Sequence, residues 1–277
     1  MHNITSESEK KNKRMRVLPS VFDIMAGGML FIYVAFIALL VLVDVGYIHA
    51  KAFWSLFHSE DLRYAMRLSL ITSTISALLS LIVGLPVGYA LSRFRFRGRI
   101  IVDTLVDLPI VLPPLVIGVS LLVFFQTAVG RAIENAGFRF VYTPQGIVLA
   151  QFTVVSAYAI RTIKIAFDGI DPRLERVART LGWSRLQAFF RVTLPLARNG
   201  ILAAGVMAWS HAIGLFAPLM IFAGTTRRKT EVLATSIYLE LSIGRIETAL
   251  AITLLLVVFA MVAVTIVKKY VGDSGAL

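Results

Sequence analysis

Residues 24–43 read IMAGGMLFIYVAFIALLVLV, a run of twenty residues without a charged side chain. As a helix, this run is long enough to cross the roughly 30 Å hydrocarbon core of a bilayer. The apolar part of a cleavable signal peptide is shorter, about 7–15 residues, so the run predicts a retained first span. We therefore expect an all-α membrane protein.

The composition of the whole chain agrees with a membrane protein. Of the 277 residues 57% are hydrophobic, and the mean hydropathy is +0.80. Soluble domains carry roughly 45–50% apolar residues. The chain has no cysteine, which excludes disulfide frameworks, thiolate metal sites and cysteine nucleophiles.

The hydrophobic pattern predicts about six transmembrane helices, and Pro and Gly interrupt the middle four. Such interruptions are tolerated inside a helix bundle, where neighbouring groups satisfy the freed backbone. We expect one transmembrane domain, residues 21–270, between cytoplasmic tails at 1–20 and 271–277. The predicted spans are 23–47, 67–91, 101–126, 144–167, 195–223 and 248–267.

The formal net charge of +12 would indicate nucleic acid as a partner if the chain were soluble. Instead, most lysines and arginines fall in alternate connections: the N-terminus, the turn 93–99, the region 161–198 and the C-terminus. The positive-inside rule places these segments in the cytoplasm, with both termini. The expected partners are thus membrane lipid and other proteins, and no nucleic acid.

Residues 171–195 predict a helical hairpin in the connection between the fourth and fifth spans. Asp171 and Pro172 are typical of the start of a helix, and Gly182 is typical of its end. Ser184 begins a capping box for a second helix. Apolar residues of the first helix recur at helical spacing, at Leu174, Val177, Ala178 and Leu181. The residues alone leave two alternatives, a hairpin lying on lipid headgroups or a docking element for a soluble partner.

Residues 175–195, ERVARTLGWSRLQAFFRVTLP, resemble the "EAA" loop of ABC importer permeases. The shared features are Gly182, nine intervening residues, Val192, one further residue and then Leu194-Pro195. The resemblance implies that this loop is a coupling helix, which inserts into a cleft of a cytoplasmic ATPase subunit. Arg176 stands where that family usually has its glutamate, directly after Glu175. The implied coupling residues are Leu174, Glu175, Arg176, Val177, Ala178, Arg179, Thr180, Leu181 and Gly182.

Residues 84–118, GLPVGYALSRFRFRGRIIVDTLVDLPIVLPPLVIG, are similar to the second and third spans of permeases in the molybdate, tungstate and sulfate importer group. This resemblance implies a homodimer with two cytoplasmic ABC ATPase subunits and an external solute-binding protein. Molybdate or tungstate is the first expected cargo and sulfate the second, while phosphate and ferric iron stay open. No P-loop occurs, so we expect this chain to bind no cofactor, with ATP and Mg on the partner ATPase.

Several residues within the spans carry separate expectations. Gly84 and Gly88 form a small-xxx-small pair that favours close helix packing. Asp103 and Asp107 share one helical face and are expected to reach the interface or pair with Arg97 or Arg99, although intramembrane acids are also functional candidates. The predicted translocation path comprises Pro113, Pro114, His211, Gly214 and Leu215. Leu215 stands where the oxyanion importers commonly have a glutamate.

Two other functional classes compete with a permease. Ser210 and His211 could suggest an intramembrane enzyme, but neighbours on a helix point about 100° apart, and no GxSxG or HExxH motif occurs. We therefore expect no enzymatic activity in this chain. A membrane receptor or scaffold without transport stays open. In 225–247, Arg227, Arg228 and Lys229 are expected either to attract an anion or an acidic patch, or to form a solvated loop.

Overall fold

The computed structural model describes residues 21–47, 56 and 58–272, and every element within them is a helix. The predicted tail 1–20 and most of the predicted tail 271–277 lie outside the described residues. The chain divides after Tyr47 into two compact units. The first unit contains one described helix, α1, Val21–Tyr47, with 27 residues.

The second unit contains the remaining helices of the described chain. Their order begins with α2 (Glu60–Arg93), α3 (Arg99–Val111), α4 (Pro114–Gln126), α5 (Ala128–Asn135) and α6 (Pro144–Asp168). It continues with α7 (Pro172–Thr180), α8 (Arg185–Ala188), a π-helical turn at Phe189–Thr193, α9 (Leu194–Ile213), α10 (Ala217–Phe222), α11 (Leu233–Ser242) and α12 (Ile246–Gly272).

Four described helices are long and apolar enough to cross a membrane: α1, α2, α6 and the part of α12 from Ile246 to Ile266. They coincide with the predicted first, second, fourth and sixth spans. The bent pair α3 and α4 raises the total to five if it is counted as one span. The predicted span 195–223 is not among them, because Arg198, Asn199 and His211 reduce the hydropathy of α9. Six spans are therefore not confirmed.

The predicted third span, 101–126, is broken as its prolines suggested. The chain bends by 110° between α3 and α4, and the break lies at Leu112 and Pro113. Pro114 occupies the start of α4, where its missing N–H costs no helical hydrogen bond. Pro109 lies inside α3 without ending it. The consecutive prolines therefore define the corner.

Helices α2, α6 and α9 form the centre of the second unit. A Cβ atom added to Gly88 of α2 would lie 2.9 Å from Ile163 Cγ2 and 3.2 Å from the Lys164 backbone nitrogen of α6. The close approach predicted for the glycine pair is thus confirmed. Buried polar groups also join these helices: Ser76 Oγ donates to Gln151 Oε1 at 3.1 Å, and Gln151 Nε2 donates to the Ala212 carbonyl at 2.9 Å.

Candidate functional site

The hairpin, residues 171–195, has the helix starts and the bend that its sequence predicts. The Asp171 carboxylate accepts from the Arg173 N–H at 2.8 Å and caps α7. Gly182 follows with a φ of 91°, a left-handed conformation that glycine adopts without steric cost. Ser184 and Gln187 exchange both hydrogen bonds of the capping box at the start of α8. The local sequence therefore specifies the bend.

The second arm of the hairpin continues directly into a long helix. Residues 185–188 are α-helical, the π turn Phe189–Thr193 follows, and α9 begins at Leu194. Pro195 lacks the N–H that would donate to the preceding turn of an α-helix. The π turn before it is wider than an α-helical turn, so the helix continues through Pro195 without ending. A displacement of the hairpin would consequently act on α9 through continuous helix.

Glu175 is the centre of a nearly buried polar network. Its carboxylate accepts from Arg93 Nε at 3.1 Å, Tyr89 Oη at 2.8 Å and Thr193 Oγ1 at 2.7 Å. The Glu175 and Arg93 side chains are only 13% and 7% exposed. Arg93 also donates to the Ile170 carbonyl at 3.0 Å. These charge-assisted bonds fix α7 against the last turn of α2 and against the π turn.

The environment of Glu175 favours its ionised form. Burial alone would raise the pKa of this carboxyl group. Hydrogen bonds from Thr193 and Tyr89, together with the charge of Arg93, outweigh the burial and lower the pKa from its ordinary value of 4.5. The network is therefore ionic at neutral pH.

Most of the predicted coupling residues face outward. Glu175 points inward and Ala178 is buried, at 5% exposure. The other members of the predicted apolar stripe, Leu174, Val177 and Leu181, are 46%, 56% and 74% exposed. The remaining predicted positions are also exposed: Arg176, Arg179, Thr180 and Gly182. Within the described chain, the stripe thus remains largely uncovered.

The residues predicted to line a translocation path lie near two helix breaks. Leu112 at the α3–α4 corner and Leu215 at the end of α9 pack against the same buried cluster. A Cβ atom added to Gly118 of α4 would lie 2.8 Å from Pro218 Cα of α10. The breaks at Pro113-Pro114 and at Gly214-Leu215 are therefore neighbours in space.

His211 makes its hydrogen-bond contact within its own helix and a ring contact with a neighbouring one. Its Nδ1 lies 3.0 Å from the Met207 carbonyl of its own helix. The imidazole instead contacts a neighbouring helix through its ring, whose centroid is 4.5 Å from that of Tyr158 in α6.

The two aspartates of α3 have a different partner from the ones predicted. Arg161 of α6 forms ion pairs with both Asp103, at 3.5 Å, and Asp107. Arg99 instead donates to the Leu91 carbonyl at 2.6 Å. The prediction of Arg97 or Arg99 was thus wrong, because these aspartates face α6 and not the basic turn. One oxygen of Asp107, Oδ1, is buried without a hydrogen-bond partner.

Arg227 and Arg228 are neutralised within the chain. Arg227 pairs with Glu240 at 2.7 Å and with Asp61, and Arg228 pairs with Glu60 at 2.7 Å and with Asp61. Glu231, which is fully buried beside them, has a pKa raised by its burial. The sequence signal for these ion pairs was weak, because their partners are more than 160 residues away in α2 or lie in α11.

Comparisons with known proteins identify the family. Residues 80–272 match the family described as the inner membrane component of binding-protein-dependent transport systems. The chain is 34% identical over 197 residues to the molybdate/tungstate transport system permease protein WtpB of Pyrococcus abyssi, covering 71% of this chain and 75% of that one. It is 33% identical over 241 residues to the molybdenum transport system permease protein ModB of Mycobacterium bovis, covering 86% and 88%.

Solved structures show the same fold at lower sequence identity. A bacterial ABC transporter involved in the import of the acidic polysaccharide alginate has a chain with a TM-score of 0.67 and 22% identity, covering 91% of this chain and 92% of that one. An inward-facing MetNI methionine ABC transporter gives a TM-score of 0.60 at 20% identity, covering 78% and 98%. The chain therefore belongs to the binding-protein-dependent transport family and is an inner-membrane permease subunit of an ABC importer.

Proposed function

We propose that this permease subunit imports molybdate or tungstate, with sulfate as the next candidate cargo. It acts as a homodimer, receives the oxyanion from an external solute-binding protein and is driven by two cytoplasmic ATPase subunits. The cargo assignment is supported by the relatives named as molybdate/tungstate and molybdenum permeases, which are 33–34% identical over most of their length. The permease itself hydrolyses no ATP.

The contact that carries the proposed coupling mechanism is the Glu175 network. When the ATPase subunits close, they displace the hairpin, which lies beyond the end of α6. Glu175 passes that displacement to α2 through Arg93, and the π turn passes it to α9. Because all three elements meet at one carboxylate, the hairpin moves together with two helices of the bundle.

The proposed path for the oxyanion runs beside the two neighbouring helix breaks, at Pro113-Pro114 and at Gly214-Leu215. Broken helices leave backbone groups free, and such groups often line transport sites. Displacement of α9 moves Leu215 at its end, and Leu215 packs in the cluster that also contacts the α3–α4 corner. Motion of the hairpin thereby reaches the path through contacts within the second unit.

Uptake into proteoliposomes tests this proposal. The vesicles contain the permease and its ATPase subunit, with ATP inside and the solute-binding protein loaded with molybdate outside. We expect uptake that requires both ATP and the binding protein and that tungstate inhibits by competition. A binding protein that prefers an amino acid or a sugar to tetrahedral oxyanions would refute the cargo class. An assembled complex that transports nothing would support the receptor alternative.

A further inference from the structure

The outward surface of the hairpin carries more positive than negative charge, and its exposed acid is the N-cap Asp171 at the start of α7. Residues 172–194 contain a single acidic residue, Glu175, whose charge is neutralised by Arg93 on the inner side. The same segment contains the arginines Arg173, Arg176, Arg179, Arg185 and Arg191. Beyond the N-cap Asp171, the carboxylate of this segment is therefore turned inward, and the exposed charges of residues 172–194 are positive.

Three of these arginines, Arg173, Arg176 and Arg179, form no ion pair or ring contact within the part of the chain that the structure describes. The guanidinium of Arg185 lies 4.5 Å from the centroid of the Phe94 ring, and that of Arg191 lies 5.4 Å from the centroid of the Trp183 ring. Arg176 and Arg179, in contrast, are exposed and form no ion pair with any carboxylate among the residues that the structure describes. Both line a groove of about 650 Å³ at the Gly182 bend.

We propose that this groove receives carboxylate side chains from an acidic cleft of the ATPase subunit. This inference rests on the proposed function, because it specifies the chemistry of the partner at the same hairpin. Arg176 and Arg179 supply the charge, and the exposed side chains of Val177 and Leu181 supply apolar contact. Charges of opposite sign across an interface fix its register and accelerate association.

A protein partner fits this surface better than anionic lipid headgroups do. Glu175 and Ala178 lie on the face of α7 that is already packed against the bundle. The groove is also a fixed concavity, since its bend is set by Gly182 and the capping box. A fixed concavity selects a partner of defined shape, whereas a fluid headgroup layer presents none.

Binding of the purified ATPase subunit to the full-length permease tests the inference. The permease is held in nanodiscs of neutral phosphatidylcholine, and the dissociation constant is measured between about 0.1 M and about 1 M NaCl, where the Debye length falls from about 10 Å to about 3 Å. We expect the wild-type affinity to fall with salt. Arg176→Glu/Arg179→Glu should weaken binding at least about tenfold at low salt and remove most of the salt dependence.

The control is Arg95→Glu/Arg97→Glu, which makes the same change in charge on exposed arginines of the other basic turn. This control should bind as the wild type does. Arg176→Gln/Arg179→Gln, which adds no repulsion, should show an intermediate loss, and all variants must elute as folded, monodisperse permease. Unchanged affinity of the charge-reversed variant would overturn the inference while leaving the proposed function intact.

The same assay tests whether the arginines bind carboxylates of the ATPase subunit or anionic lipid headgroups. If the charge reversal at Arg176 and Arg179 weakens ATPase binding only in nanodiscs that contain anionic lipid, the arginines bind headgroups. That result would also overturn the inference. Wild-type permease that binds no ATPase at any salt concentration would instead contradict the proposed function itself.

Discussion

Arg93 Nε donates to Glu175 Oε1 at 3.1 Å, and this nearly buried ion pair joins the last turn of α2 to the hairpin helix α7. Two further donors, from Tyr89 and Thr193, complete the coordination of the carboxylate. The hairpin is thus attached at one acid to α2 and to the π turn that precedes α9. This attachment is the physical basis of the proposed coupling.

Removing the charge of Glu175 should uncouple the hairpin from the spans. Glu175→Gln keeps the shape of the side chain but leaves Arg93 uncompensated at 7% exposure, and a broken buried pair costs about 3–5 kcal/mol. We expect the ATPase subunit still to bind, while uptake of the proposed cargo, molybdate, per ATP hydrolysed falls about tenfold or more, since a loss of about 1.4 kcal/mol in coupling free energy is already a factor of ten. The measurement is parallel uptake and phosphate release.

Glu60→Gln is the matched control for this variant. It removes the charge of an exposed glutamate, 67% exposed, that pairs with Arg228. An exposed pair contributes about 0–1 kcal/mol, so the ratio should stay near the wild-type value. Equal ratios in Glu175→Gln and the wild type would show that the network does not transmit motion.

The attachment of the hairpin should depend on pH in a defined direction. Because the folded pKa of Glu175 lies below its ordinary value of 4.5, the carboxylate contributes stability above pH 4.5. That contribution is lost as the pH falls through the lowered folded pKa. Hydrogen exchange, corrected for its intrinsic pH dependence, should show protected amides in 172–180 above pH 4.5 and opening below it. Glu175→Gln should remove this step, and loss of protection already near neutral pH would contradict the assignment.

The contact between α2 and α6 at Gly88 should not tolerate a larger residue. Gly88→Ala places its Cβ 2.9 Å from Ile163 and 3.2 Å from backbone of α6, so the helices must separate. Overpacking of this kind costs about 1–3 kcal/mol. A lower thermal midpoint in detergent is expected for Gly88→Ala than for Gly169→Ala, whose Cβ meets no atom closer than 3.6 Å. If both variants unfold together, the close approach is not a determinant of stability.

The ion cluster of Arg161 makes a prediction that combines three substitutions. Arg161→Met alone leaves Asp103 and Asp107, which are 34% and 27% exposed, without their cation. We expect a loss between the about 0–1 kcal/mol of an exposed pair and the about 3–5 kcal/mol of a buried one. Adding Asp103→Asn and Asp107→Asn removes both negative charges, so most of the stability should return. Thermal unfolding of the single and triple variants measures the difference. A triple variant no more stable than Arg161→Met would mean that packing, and not charge, sets the loss.

Local signals in the sequence predicted the features that depend on neighbouring residues. The cap at Asp171, the bend at Gly182, the capping box at Ser184 and the corner at Pro113-Pro114 each depend on backbone chemistry within a few positions. Those expectations are confirmed. Of the six spans predicted from the apolar runs, four coincide with described helices that are able to span a membrane.

Contacts between distant segments were not predictable from local patterns. The resemblance places Glu175 among the coupling residues, but the sequence does not reveal its inward contacts, because its partners Tyr89 and Arg93 are more than 80 residues away. The pairing of Asp107 with Arg161 was missed for the same reason, since tertiary packing decides which basic group an acid meets. The predicted fifth span is not among the described helices apolar enough to cross a membrane, because polar residues in α9 lie among apolar ones.

Cross-linking of single cysteines tests the central claim, that the hairpin receives the ATPase subunit on the cytoplasmic side. The native chain has no cysteine, so each introduced thiol reports one position. Leu181→Cys, at a residue 74% exposed, should cross-link to the ATPase subunit, whereas Phe138→Cys, at a residue 65% exposed between α5 and α6, should not. A membrane-impermeant maleimide applied outside should label only Phe138→Cys. Labelling of Leu181→Cys from outside, or its failure to cross-link in a complex that hydrolyses ATP, would contradict the account.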